Sequence, residues 1–329
     1  MYARDVGEEE IVRMIVKLLD KPVHGERLPE GDDARDITVK GPRILFSIDG
    51  YSIESALLPW RTLEDIGWAA VTGTVSDIVS KAGWPEGVMA SIGIPREWSI
   101  EEIMSLMKGI REACSYYGVR FLGGDTNSSK DPWITVAAIG FTSTAYPPPR
   151  NNAKPGDAVI VTGDNYGAMG VVALDGIEKA RDIKWVVEKT KRPITEVRTA
   201  GIIQGYAKAF HATMDVSDGL AYTIHTIAKA SGVGIHIKEK PLYPKELDDY
   251  CKNNDKCIWE RILFGGEEYG VVLVVDKKYL DKITRELTNY DIPFKIIGEV
   301  IEDKQITIEG YGELKPRRWD QFKGWTILS

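Results

Sequence analysis

Met214-Asp215-Val216-Ser217-Asp218-Gly219-Leu220 sets two aspartates around the point where a short apolar strand gives way to a helix. Thr213-Met214-Asp215 ends the strand, Ser217 is placed to cap a helix running through Ala230, and Gly232 stands at its far end. An acid at an element end, beside glycine, recurs along the chain. It returns in Gly31-Asp32-Asp33-Ala34, in Ser47-Ile48-Asp49-Gly50, in Gly123-Gly124-Asp125-Thr126 and in Gly265-Gly266-Glu267-Glu268-Tyr269. Asp77 differs, because it falls in mid-helix among Ile66, Val71, Val75, Ile78 and Val79. Taken singly, each segment has a local reading as an Asp-Gly turn or a helix cap. For Asp77 the local reading is an ion pair with Lys81, one turn on. Some partner is required there, since an uncompensated carboxylate in so apolar a helix costs several kcal/mol.

Outward from these segments, Glu8 to Leu19 has the spacing of an amphipathic helix. Residues 43–48, 88–94, 119–122 and 133–141 read as four strands. Between them, Thr62 with Asp65 opens a helix reaching about Lys81, and Ser99 with Glu102 forms a capping box for a helix to Tyr117. Pro147-Pro148-Pro149 marks a domain boundary, giving domains 1–146 and 147–329. Beyond it come a strand at 157–162, a glycine-bearing turn, and a helical stretch to about Phe210. A buried-type strand at 270–275 and a helix at 279–288 follow. The fold class is mixed α/β. Gly163-x-x-x-Gly167-x-x-Gly170 lacks dinucleotide spacing and reads as close helix packing.

A chain of 329 residues, 43% apolar and 28% charged, suits about two domains of ~150 residues. Such a composition excludes a disordered or disulfide-stapled class. The net charge of −7, from 42 basic and 49 acidic residues, speaks against a nucleic-acid partner. No apolar run approaches the ~18 residues of a membrane span, and the N-terminus has no signal-peptide core. Three sparse cysteines predict reduced thiols and a cytoplasmic location.

Carboxylates beside glycines, with four scattered histidines, make a hard-oxygen donor set suited to Mg²⁺ and unsuited to zinc. Double glycines would also let phosphate oxygens approach backbone N–H groups. Together these point to a multi-Mg²⁺ phosphoryl-transfer site that works by positioning and charge neutralisation. The Gly-x-x-x-x-Gly-Lys-Ser/Thr string is absent, as are the protein-kinase motifs and a His-Glu-x-x-His helix.

Six segments in order resemble the ATP-binding superfamily of AIR synthase, selenophosphate synthetase and the hydrogenase-maturation dehydratase, with thiamine-monophosphate kinase the nearest branch. They are Gly31–Ala34, Asp65-Ile66-Gly67-Trp68 leading to Asp77, Gly123–Thr126, Arg150 with Ala153-Lys154-Pro155-Gly156-Asp157, Met214–Leu220 and Gly265–Tyr269. The resemblance implies a two-domain AIR-synthase-like fold. Its N-terminal four-stranded sheet would pair into a barrel across a homodimer, and its C-terminal domain would be α/β. It implies ATP as co-substrate and several Mg²⁺ ions. Asp32, Ser47, Asp49, Asp77, Asp125, Asp215 and Asp218 would be the metal ligands. Gly124, Asp125, Arg150 and Ser217 would contact ATP, and Glu267 and Trp319 would contact a small phosphorylated substrate. No protein nucleophile is implied.

The sequence also departs from that branch. Ala56 stands where the kinases carry a substrate-side histidine, within Asp49-Gly50-Tyr51-Ser52-Ile53-Glu54-Ser55-Ala56. Gly270 replaces the last acid of Gly-Gly-Glu-Asp-Tyr-Glu. These changes keep open a ligase- or dehydratase-type ATP user and a non-catalytic nucleotide-binding dimer. The C-terminal cysteine of the hydrogenase-maturation relative and the early cysteine of selenophosphate synthetase are both missing.

Overall fold

The computed structural model describes Asp5, Glu8–Leu19 and residues 39–320 and 324–327. Asp32 and its turn therefore lie outside the described residues. The chain divides into two units. The first holds residues up to Ile78 and Gly83–Ser143; the second holds Val79–Ala82 and Thr144–Ser329.

The first unit carries α1 (Glu8–Leu19), β1 (Arg43–Ser52), all but the last two residues of α2 (Leu63–Ser80), β2 (Trp84–Ile94), α3 (Ile100–Tyr117), β3 (Arg120–Ser128) and β4 (Trp133–Thr142). Among the described residues its four strands, the number expected from the sequence, form one sheet in the order β1-β4-β2-β3. Both helix starts follow the predicted chemistry. The Thr62 N–H donates to Asp65 Oδ2 at 2.9 Å, and Ser99 and Glu102 close a capping box. Ile66, Val71, Val75 and Val79 of α2 are fully buried, and each such side chain contributes about 1.5–3 kcal/mol. Thr74 ties α2 to the sheet by donating to the Val136 carbonyl at 3.3 Å.

The sheet is two-faced. Ile134, Val136 and Ala138 of β4 are buried on the helix side. On the other side Phe46 and Ile48 of β1 are 74% and 68% exposed, opposite Ile139 and Ala137.

The second unit is built on a seven-stranded sheet in the order β11-β10-β7-β9-β5-β8-β6 among the described residues. Its strands are β5 (Ala158–Thr162), β6 (Phe210–Asp215), β7 (Gly234–Ile237), β8 (Val271–Val275), β9 (Phe294–Ile301), β10 (Ile306–Ile308) and β11 (Gly312–Glu313). Every residue of β5 and β8 is buried. A separate pair joins β12 (Arg317–Asp320) to β13 (Gly324–Ile327).

Four expectations need correction or completion here. The helical stretch after Gly170 is broken into α4 (Ala168–Asp175), α5 (Lys184–Lys191) and α6 (Arg198–Gly205), with a short helix Ile177–Ala180 after α4. Gly176, with φ +90°, and Pro193 interrupt it, because neither continues a helix readily. The helix after Asp215, α7 (Leu220–Ser231), takes Gly219 as its N-cap, not Ser217. Gly219 has φ +92°, and Ser217 is spent upstream in pairing with another loop.

Cys251 and Cys257 are disulfide-bonded, not reduced. A tight turn with Lys252 and Asn253 at φ +51° and +55° brings the end of helix Glu246–Tyr250 back to the first turn of α8 (Asp255–Leu263), leaving the two Cα atoms 5.7 Å apart. The glycine-rich turn does serve packing, as predicted. A Cβ on Gly170 would lie 1.9 Å from the Arg261 carbonyl, and Arg261 forms a two-pronged ion pair with Asp175 at 2.8 and 3.1 Å. No described helix is long and apolar enough to cross a membrane.

Candidate functional site

In the first unit β1 delivers its odd-numbered residues toward α2. The Tyr51 hydroxyl donates to the Ile66 carbonyl at 3.2 Å, and the Ser47 hydroxyl donates to Asp77 Oδ2. Strand alternation sets Asp49 on that same face, between them. Asp77 is half-buried where the rest of its helical turn is fully buried. Its cost of burial is met in part by the Ser47 hydroxyl, while Lys81 donates to the Thr213 carbonyl.

Asp125 follows a bulge. The β2–β3 pairing shifts between Val88 and Ala90, so that three steps along β3 answer two along β2. Gly123 takes φ +117° in that bulge, and Gly124 emerges so close to β2 that a Cβ would lie 1.8 Å from the Ala90 carbonyl oxygen. The double glycine is thus fixed by strand geometry, and the bulge re-aims the exposed Asp125. Asn127 donates to Asp125 at 2.5 Å. A cavity of about 120 Å³, walled by Ile15, Val16, Met107 and Phe121, abuts Gly123–Thr126.

The sheet order separates two of the predicted ligands. Asp49 and Asp125 lie on the two edge strands, three strand spacings apart. That is about 14 Å across the sheet, too far for one ion within a single copy. Among the described residues no three His, Cys, Asp or Glu side chains form a ready-made metal cage. The donor set nevertheless fits Mg²⁺. It consists of carboxylates and a hydroxyl, and Mg²⁺ takes only one or two carboxylates before filling its shell with water and substrate phosphates.

The second unit brings two of the sequence motifs together. The loop Gly265–Gly270 runs alongside Asp215–Ser217. Glu267 N–H donates to the Ser217 carbonyl at 2.7 Å, Tyr269 N–H to Val216 at 2.8 Å, and Val216 N–H to Gly270 at 2.8 Å. Asp215, 5% exposed, ends β6, with its carbonyl held by the Thr223 hydroxyl at 3.0 Å. Asp218 is exposed one residue beyond Ser217. The segment bearing Arg150 is drawn to the same strand, since the Pro149 carbonyl accepts the Thr213 N–H at 3.0 Å. Trp319 lies on β12 opposite Trp325.

Sequence reasoning missed Glu268. It is fully enclosed, and burial, with a smaller push from the Glu267 charge, raises its carboxyl to about 8. Its Oε1 folds back onto the Gly266 N–H at 3.1 Å, which Gly265 permits, because a Cβ there would sit 2.1 Å from that oxygen. The acid after the double glycine was the available signal, read only as part of a motif. Gly270 has a local cause as well. A Cβ there would fall 2.1 Å from the Thr162 carbonyl and 2.2 Å from the hydroxyl of the fully buried Tyr166.

The second unit ends β6 on Asp215, beside a glycine-backed acidic loop and a helix start. Asp49 and Asp125 of the first unit lie inside β1 and β3 and not at strand ends, because both strands run on past their glycines. Residues 31–142 match the AIR synthase related protein N-terminal domain, and residues 154–310 match its C-terminal domain. The chain belongs to the AIR synthase related protein family. Thiamine-monophosphate kinase of Bacillus subtilis (strain 168) is 31% identical over 282 residues, covering 83% of this chain and 85% of that protein. Its counterpart in Aquifex aeolicus (strain VF5) is 27% identical over 326 residues, covering 98% and 100%. A solved structure of AaThiL complexed with AMPPCP and TMP superposes with a TM-score of 0.73 at 26% identity, covering 98% of this chain and 99% of that one.

Proposed function

We propose that the chain is an ATP-dependent kinase that converts thiamine monophosphate and ATP into thiamine diphosphate and ADP. The observation that carries this is the likeness to thiamine-monophosphate kinases over nearly the whole chain, one solved with an ATP analogue and TMP. In this reading the acceptor phosphate attacks the γ-phosphorus directly, and the chain supplies position and charge. Asp49 and Asp77 form one carboxylate group, with Ser47 orienting Asp77 by its hydrogen bond. Asp125 stands at the far sheet edge, and Asp215 and Asp218 flank Ser217 in the second unit. Asp32 completes the ligand set. Bound Mg²⁺ supplies neutralisation of the phosphate charge. Gly124, Asp125, Arg150 and Ser217 are assigned to ATP in this reading, and Glu267 and Trp319 to the acceptor.

Purified protein given ATP, Mg²⁺ and thiamine monophosphate should form thiamine diphosphate and ADP in equal amounts. ADP formed only with a carbamoyl or amidine acceptor would move the chain to the ligase or dehydratase side of the family. Nucleotide binding with no turnover on any acceptor would make it a non-catalytic member.

The functional unit in this proposal is a homodimer. The reason lies in Ile44, Phe46 and Ile48, which turn an apolar face of β1 to solvent, a liability on an edge strand unless another chain covers it. Phe46→Glu with Ile48→Glu should shift sedimentation from dimer to monomer. An unchanged sedimentation coefficient, dimeric or monomeric, would remove this face from the assembly.

A further inference from the structure

The Gly265–Gly270 loop is strained at two positions. Glu267 and Tyr269, neither of them glycine, stand at φ +55° and +46°. In that left-handed region a Cβ crowds the carbonyl oxygen that follows it. Such residues persist where their surroundings hold them, and they gather at functional sites.

Three sets of contacts hold this loop. Glu267 N–H and Tyr269 N–H donate to the Ser217 and Val216 carbonyls at 2.7 and 2.8 Å. At the far end Gly270 is pressed against β5, since a Cβ there would lie 2.1 Å from the Thr162 carbonyl oxygen. The near end is held from within the loop, where Glu268 Oε1 accepts the Gly266 N–H at 3.1 Å. The ring closed by that last bond runs through both backbone dihedrals of Glu267. It also explains the first glycine of the pair, because a Cβ on Gly265 would sit 2.1 Å from Glu268 Oε1 and push the carboxyl off Gly266.

For the fold alone, Glu268 is a poor choice. It is 6% exposed, and an enclosed carboxyl costs free energy that an apolar side chain of similar size would not. Its bond to Gly266 reaches two residues back and ties no distant elements together. Tyr269 is buried like Glu268, whereas Glu267 is only half-buried. The local ring therefore acts on the one residue of the three that keeps access to solvent.

We propose that Glu268 is a positioning residue: by closing this ring it holds Glu267 in its left-handed conformation and so sets where the Glu267 carboxylate meets the acceptor. The proposal rests on the kinase reading for the identity of the acceptor, and on the loop alone for the ring.

The test uses the full chain and two readouts, neither of which needs turnover. Glu268→Leu keeps the bulk and removes the acceptor oxygen, so hydrogen exchange at the Gly266 amide, read by NMR, should quicken about 10-fold or more. With Mg²⁺ and a non-hydrolysable ATP analogue present, the same variant should bind thiamine monophosphate about 10-fold more weakly, while affinity for the analogue stays within about threefold. Glu268→Gln keeps a carbonyl oxygen for the Gly266 N–H and should stay within about threefold of the parent chain on both ligands. Gly265→Ala leaves Glu268 in place and crowds its Oε1, so it should repeat the selective loss and serves if Glu268→Leu fails to fold. A residue kept only for the fold would lower the unfolding temperature and weaken both ligands alike. That pattern, or unchanged Gly266 exchange in Glu268→Leu and Gly265→Ala, overturns the proposal. A parent chain that binds no thiamine monophosphate sinks the kinase reading instead, and Gly266 exchange then decides the ring by itself.

Discussion

Asp77→Asn should abolish Mg²⁺-dependent nucleotide binding, weakening it by more than the ~10–100-fold typical of losing an outer-shell partner of a metal, while the chain stays folded. The asparagine keeps an oxygen to accept the Ser47 hydroxyl, so the local hydrogen bond that steadies α2 against β1 survives. Only the charge is removed. If that charge exists to hold a cation, binding collapses and the unfolding transition moves by no more than about 4 °C, the equivalent of roughly 1 kcal/mol. If it exists for the fold, as an ion pair within the helix would, the pattern reverses: nucleotide affinity holds and the transition drops. Titration calorimetry with an ATP analogue and a calorimetric melt on the same sample separate the two. Ser47→Ala supplies a graded companion, with a smaller loss of affinity, because it removes the group that orients Asp77 and leaves the carboxylate in place.

Gly124→Ala should cost about 3 kcal/mol, the upper end for overpacking a tight contact. The added carbon would lie 1.8 Å from the Ala90 carbonyl oxygen, a backbone atom that cannot swing aside as a side chain could. Relief requires β2 and β3 to part at the rung Ala90–Gly124, directly before Asp125. The melt should therefore fall by roughly 6–12 °C, and nucleotide affinity should fall with it. Gly123→Ala makes the informative contrast. Its Cβ meets nothing within 4 Å, and its penalty arises from φ +117° alone. A Gly124→Ala melt within 1 °C of the parent chain would contradict the strand pairing itself.

What could be read along the sequence was local chemistry. Thr62 with Asp65 and Ser99 with Glu102 announce their helices because a cap is satisfied within four residues. The four strands of the first unit announce themselves by their apolar content. Non-local pairing left no such mark. Nothing in Gly265–Gly270 states that its N–H groups meet the carbonyls of 216 and 217, some 50 residues earlier. Nor does anything in β1 and β3 state that they are the two edges of one sheet, which is what separates Asp49 from Asp125. The disulfide was missed for a related reason. Weighing chain size against the need for a staple says nothing about a turn that folds Cys251 back on Cys257. Ser217 looked like a cap because of its type and position, and its backbone carbonyl turned out to serve the neighbouring loop.

The four residues Val79–Ala82 belong with the second unit although they are threaded through the first. There the Ser80 carbonyl accepts the Thr213 hydroxyl at 2.6 Å, two residues before Asp215. No single cut in the chain can then release the second unit intact. A gene fragment starting at Thr144 would encode a β6 deprived of that acceptor, and grafting the second unit onto a foreign first unit would require carrying an internal tetrapeptide along with it.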